Sequence, residues 1–276
     1  RKARVVVCGN FQRKEAGDDQ YTANADITSV RAVLAASAPK KWGGKVVDIK
    51  TAFLDAALPD SFETVFMRPP QALVEFGLAP PGTVWKALKA IYGLRIAPKA
   101  WGIERGKQLK RMQIVVKGKT YVFIQSHIDP SVWSIVRGSV ASEGAGSATK
   151  HGVRPGVASE GAGRPLHEAY SSECADSAAF GYICIYVDDF LIVSDNSFCD
   201  AVREKLLETC KSTDKPTVNF GSGLSIEYLS VNITAGESGW FLDQSVYCQD
   251  LLSKWSMEEC RAIGALEDAN EKLEDE

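Results

Sequence analysis

The sequence is short of several things that would settle its class at once. No apolar run in its 276 residues approaches the ~20 needed for a membrane-spanning helix, so no membrane partner is expected. The start, RKARVVVCGNFQ, lacks Met, and its apolar stretch is too short for a signal peptide, so we read the chain as a piece of a longer one. Seven cysteines occur without a C-x-x-C pair, which indicates neither a zinc site nor a disulfide framework. Reduced thiols in an intracellular compartment are the default expectation. His127, His151 and His167 stand apart from one another and are read as structural or exposed.

Charge of one sign is also scarce overall, at net −3, but it is unevenly spread. Met257–Glu276 holds eight acidic and two basic residues, a net of −6, which leaves +3 for residues 1–256. Between Lys86 and Lys119 there are ten Lys or Arg and one acid, Glu104. A basic stripe of this kind suits a phosphate backbone. It suits a solvated helix face equally well.

The clearest break along the chain is Gly138–Ala179, rich in Gly, Ser, Ala and Glu, with VASEGAG at Val140–Gly146 and again at Val157–Gly163. It lacks the periodicity needed to bury a core and reads as a flexible insertion. The organisation expected is residues 1–137, the insertion 138–179, residues 180–256, and an acidic tail over 257–276.

Helices are expected at Asp26–Ala38, after an Asp26, Thr28 or Ser29 cap, and at Pro98–Met112, where Pro suits the first position. A third follows Asp195 or Asn196 to about Cys210, and a fourth covers Gln244–Trp255. Lys45–Ile49 reads as a buried strand that passes directly into a helical Thr51–Leu58. Short strands are expected at Thr64–Met67, Thr83–Ala87, Tyr182–Val187, Phe190–Val193, Ile226–Ile233 and Gly239–Leu242. The order indicates an α+β fold, a mostly antiparallel sheet with helices on one face.

Three carboxylates interrupt apolar strands. Asp48 lies in KVVDIKTAF, and the pair Asp188–Asp189 lies in GYICIYVDDFLIVSD. Carboxylates pushed toward an apolar interior are costly unless they are paired, hydrogen-bonded or bound to a metal. Asp-Asp could simply be a hairpin turn, although favoured two-residue turns use Asn-Gly, Asp-Gly or Gly-X. The other reading is a site for one or two Mg²⁺ ions, which prefer a few carboxylates plus waters and phosphates. Such a pair of ions suits phosphoryl transfer.

Taken in order, KARVVVCGNFQ, VVDIKTAFLDAAL, VFMRPP, VWKALKAIYGLRIAPKAWG, DPSVW, YVDDFLIVSD, YLSVNI and GWFLDQSVYCQDLL resemble the reverse transcriptase of copia-type long-terminal-repeat retrotransposons. The resemblance covers nearly the whole chain outside the insertion. It implies a right-hand polymerase: residues 1–137 as fingers and first part of the palm, and residues 180–256 as the palm hairpin, a helix and the start of a thumb. Asp48, Asp188 and Asp189 match the catalytic, metal-binding aspartates, with two Mg²⁺ (or Mn²⁺) as cofactors and dNTPs as substrates.

Phe53 matches the aromatic that crowds a ribose 2′-hydroxyl; by itself it would read as a core Phe. Tyr92 and Gly93 match the segment beneath the incoming nucleotide, with Arg95 and Lys99 toward phosphates. Lys2 and Arg4 match triphosphate-contacting positions or are solvated charges. Tyr186 would support the primer end or be an ordinary cross-strand aromatic. Lys107, Lys110 and Arg111 belong to the basic stripe and would follow primer and template.

Implied partners are an RNA or DNA template with primer, and the capsid, protease, integrase and ribonuclease H parts of a polyprotein. The implied location is intracellular: cytoplasmic, in a virus-like particle, or nuclear. Four positions depart from the family pattern: Ile96 for Gln, Cys8 for a basic residue, Ser230 for Gly, and Gly102 for an aromatic. They favour the competing reading, a catalytically degenerate relic that only binds nucleic acid. A non-polymerase phosphotransferase on a similar sheet would leave IYGLRIAP unexplained.

Overall fold

The computed structural model describes residues 5–12, 22–58, 62, 64–138 and 178–261. Strand β1 (Gly43–Ile49) is buried along nearly its whole length, as a central strand should be. Its neighbours are β8 (Asp189–Ser194) on one side and the short β9 (Ser212–Asp214) on the other. Beyond β8 come β7 (Gly181–Tyr186), β6 (Val132–Arg137), β5 (Lys119–Gln125) and β4 (Gln113–Val116), giving seven antiparallel strands.

Alternate residues of the central strands feed two cores. Val47, Ile49, Ile183, Ile185, Phe190 and Ile192 face α4 (Ala97–Arg111) and α5 (Asn196–Thr209), which contribute Trp101, Leu109, Phe198, Val202 and Leu206. Val46, Cys184, Leu191 and Val193 face the other way. There they meet Val30, Val33 and Leu34 of α1 (Ile27–Ser37) and a second antiparallel sheet. That sheet comprises β10 (Ser225–Tyr228), β11 (Val231–Ala235) and β12 (Trp240–Asp243).

The expectation of helices on a single face is corrected here: α1 lies on the opposite face from α4 and α5. The physical reason is present in the strands, whose unbroken apolar runs have a side chain to bury on each face. Asp26 caps α1 as expected, its Oδ1 accepting from the Thr28 and Ser29 N–H groups at 2.6 and 3.0 Å. Pro98 falls within the first two positions of α4.

Strands β4, β5 and β6 are additions to the elements expected from the sequence. They are half-buried, and Lys117 and Gly118 (φ 50° and 72°) turn between the first two. The stretch expected as one strand over Ile226–Ile233 breaks into β10 and β11. Leu229 and Ser230, both left-handed (φ 56° and 58°), make the turn without the Gly or Asn that usually announces it. The helical turn expected over Thr51–Leu58 shortens to α2 (Ala52–Asp55), entered through Thr51 at φ 59°. Strands β2 (Phe66–Met67) and β3 (Trp85–Lys86) pair beside it, with α3 (Gln71–Glu75) between them in sequence. The last helix among the described residues is α6 (Ser245–Lys254).

Ile135 on β6 pairs with Gly181 on β7, so the two ends of the insertion are brought close together. The insertion itself, apart from its outermost residues, and the tail beyond Arg261 lie outside the described residues, as do Lys2 and Arg4.

Candidate active site

Antiparallel pairing sets Asp48 of β1 directly opposite Asp189 of β8, and Tyr186 of β7 opposite Asp189 in turn. Directly opposed residues of an antiparallel pair project from the same face. Val46 and Leu191, two residues along, enter the α1 core, so this face is the one that carries α1 and the second sheet. Asp48 Oδ2 accepts from the Thr213 hydroxyl at 3.1 Å. Asp188 stands at the tip of the β7–β8 hairpin, where its carbonyl accepts from the Ile49 N–H at 2.9 Å.

Burial, with repulsion from Asp188 and then Asp48, pushes the Asp189 carboxyl up to about 6. A cation would relieve that repulsion, so the donor set suits a hard divalent ion in type and charge. Among the described residues, no three His, Cys, Asp or Glu side chains are gathered closely enough to form a metal cage. If the three aspartates hold ions together, their side chains must swing inward to do so.

Asp48 and Asp188 line a cleft of about 620 Å³, walled also by Thr51, Met67, Trp85 and Tyr92. Phe53 does not line it. Its ring sits edge-on to Tyr92, with centroids 5.0 Å apart at 63°. Gly93 is left-handed (φ 91°) and tightly packed: a Cβ there would lie 1.9 Å from the Val7 carbonyl oxygen. The adjacent Val7 N–H donates to the Tyr92 carbonyl at 2.8 Å.

Arg95 turns toward the same segment, its Nε donating to the Gly9 carbonyl at 2.9 Å, with Nη1 buried and without a partner among the described residues. Lys99 is half-buried on α4, while Lys107, Lys110 and Arg111 are exposed along it. Tyr186 is 42% exposed beside the carboxylates. Ile96, one of the departures, is buried in the α4 core.

Sequence reasoning missed the residues that hold the hairpin tip. Val187 adopts φ 51°, an outlier for a β-branched residue. Its carbonyl accepts from Trp101 Nε1 at 2.7 Å and Arg105 Nη1 at 2.9 Å, and its N–H donates to Asn24 Oδ1 at 3.0 Å. No spacing rule joins these positions, which come from three separate elements.

The chain is similar to reverse transcriptases. Residues 1–121 match the family model described as reverse transcriptase (RNA-dependent DNA polymerase). The chain is 24% identical over 258 residues, 93% of its length, to the retrovirus-related Pol polyprotein from transposon RE1 of Arabidopsis thaliana. It is 32% identical over 138 residues, 50% of its length, to the corresponding polyprotein from transposon RE2 of the same plant. It is also 30% identical over 133 residues, 48% of its length, to that of transposon TNT 1-94 of Nicotiana tabacum. The chain spans 14%, 8% and 9% of those three polyproteins. No solved structure matches it. Together these matches support a reverse transcriptase domain of the kind found in copia-type retrotransposon Pol polyproteins.

Proposed function

We propose that this domain is an RNA-directed DNA polymerase in which Asp48, Asp188 and Asp189 hold two Mg²⁺ ions for nucleotide addition. The observation that carries the reading is the register of β1 on β8. It places two carboxylates face to face and a third at the adjoining tip, beside a cleft large enough for a nucleotide. When bound, the ions would lower the cost of the charge that develops at the attacking and leaving oxygens.

The chain's own residues do the rest. The carboxylates orient the primer end and the triphosphate, and Tyr92 and Trp85 wall the cleft and exclude water. Phe53 supports Tyr92 from behind and so sets how much room is left beside the sugar. Arg95, Lys99 and, beyond the described residues, Lys2 and Arg4 supply positive charge for phosphates. Tyr186 flanks the primer end, and the exposed bases of α4 follow the primer–template backbone.

In this reading the seven-stranded sheet with α4 and α5 forms the palm, the segments around Val5–Gln12 and β2–β3 belong to the fingers, and α6 begins a thumb. Residues 138–179 and 257–276, read from the sequence as an insertion and an acidic tail, lie mostly outside the described residues. The domain would work on RNA or DNA templates with dNTPs as part of a polyprotein. Capsid, protease, integrase and ribonuclease H would be its neighbours, in cytoplasmic virus-like particles or in the nucleus.

The test is primer extension on poly(rA)/oligo(dT) with Mg²⁺. Wild-type protein should extend, and Asp48→Asn or Asp188→Asn should abolish extension while leaving duplex binding largely intact, because an amide keeps the shape and loses the charge. Binding without extension by the wild type would favour the degenerate relic instead.

A further inference from the structure

The hairpin tip that carries Asp188 and Asp189 is not held by its own turn chemistry. Val187 occupies a left-handed conformation that β-branched residues avoid, so the surroundings must enforce it. Both of its backbone polar groups are engaged from outside the hairpin.

Trp101 and Arg105 are four apart on α4 and therefore share one face of the helix. Both are almost fully buried, at 1% and 6% exposure, and both donate to the Val187 carbonyl. The second Arg105 nitrogen, Nη2, donates to the Ala23 carbonyl at 3.2 Å. Its neighbour Asn24 takes the Val187 N–H, and Ala25 donates its own N–H to the Ile185 carbonyl at 2.8 Å.

Gly102 makes this arrangement fit. A Cβ on Gly102 would stand 2.4 Å from Thr22 Oγ1, so a larger residue would force the Thr22 side chain, or the 22–25 segment with it, to shift. Helix α4 and the 22–25 segment thus converge on a single residue, Val187.

We propose that Trp101 and Arg105 are positioning residues for nucleotide addition. Through the Val187 carbonyl, and with Gly102 admitting Thr22–Ala25, they fix the direction in which Asp188 and Asp189 project. The inference rests on the polymerase reading for its catalytic consequence, but the clamp itself can be tested separately. A guanidinium spanning two backbone carbonyls is a rigid strut that a lysine cannot reproduce, because an ammonium lacks the planar fork. An indole N–H can be deleted by Trp101→Phe, which keeps an aromatic ring in the core at the cost of some buried volume.

The experiment compares wild type with Trp101→Phe, Arg105→Lys and Gly102→Ala. It uses amide hydrogen exchange resolved at residues 186–189, alongside single-nucleotide addition with Mg²⁺ on poly(rA)/oligo(dT). We expect faster exchange confined to the tip and to the Ile49 amide, with the rest of β7 and β8 unchanged. The turnover kcat should fall by about tenfold or more, while KM for dTTP changes by less than about twofold.

Unchanged exchange at the tip in both Trp101→Phe and Arg105→Lys would overturn the clamp. So would faster tip exchange with kcat preserved, or a uniform rise in exchange along both strands, which would mark a purely structural role. If the wild type shows no nucleotide addition, the polymerase reading fails, and the clamp stands or falls on the exchange data alone.

Discussion

The rings of Phe53 and Tyr92 pack edge to face with centroids 5.0 Å apart, and only Tyr92 of the two lines the cleft beside Asp48. Phe53 therefore touches the cleft only through its neighbour and is packed against the main core as well. Packing against the core fits the core-Phe reading, and the sugar-gate reading remains the proposal that the next experiment tests. Such an edge-to-face pair contributes ~0.5–1.5 kcal/mol beyond its buried area.

Phe53→Val should free Tyr92 to move and open the cleft. Ribonucleotide incorporation relative to dNTP should rise by about tenfold, equivalent to ~1.4 kcal/mol of lost discrimination. Competing rNTP and dNTP incorporation measures this directly. Discrimination equal to wild type, together with a lowered melting temperature, would leave Phe53 as a core residue only.

Asp189 gives a pH signature. In metal-free protein its folded carboxyl is raised from 3.8 to about 6, so the folded state holds the proton more tightly than the unfolded chain. Its contribution to stability is complete below about pH 4, declines as pH rises toward about 6, and is gone above that. Thermal melts in EDTA should show Asp189→Asn gaining on wild type across that window and then holding a constant lead. Added Mg²⁺ should stabilise the wild type more than the variant above the window, since a ligand bound only by the folded state raises stability. A difference between the two proteins that does not vary with pH would contradict the burial and repulsion assigned to Asp189.

Lys107, Lys110 and Arg111 form the exposed end of the basic stripe on α4. If they face a phosphate backbone, duplex affinity should fall steeply with salt. Neutralising all three should reduce the slope of log K against log salt by about 0.9 for each phosphate they pair with. Fluorescence anisotropy at several salt concentrations checks it. An unaltered slope would return these residues to solvent.

The pairing of Ile135 with Gly181 makes a further prediction about residues 139–177. Their flanking strands are already adjacent partners in the sheet, and closing a longer loop costs only ≈ 0.6 kcal/mol for each doubling of its length. Replacing the segment with a short Gly/Ser linker should keep the melting temperature within a few degrees and leave the register of β6 on β7 intact. A large loss of stability would show that the segment packs on the domain.

Much of this protein is legible in one dimension because the relevant physics is local. The Asp26 cap, Pro98 near the start of α4, the apolar runs flanking Asp48 and Asp188–Asp189, and the ordered motifs around them are set by neighbours in the chain. These establish the α+β class and the three acidic positions. The left-handed turns at Thr51, Val187 and Leu229–Ser230 carry no glycine to announce them, and the surrounding contacts impose them instead. The choice of face for α1 is likewise invisible, since strands apolar on both sides do not say which layer covers which.

Which residues could carry charge into an apolar sheet is written residue by residue, because alternation and burial depend on near neighbours. That Asp48 faces Asp189, that Phe53 stands behind Tyr92, and that Trp101 and Arg105 grip Val187 follow from the folded arrangement alone. Strand register and helix placement are settled by contacts between segments dozens of residues apart, where no local preference of the chain operates.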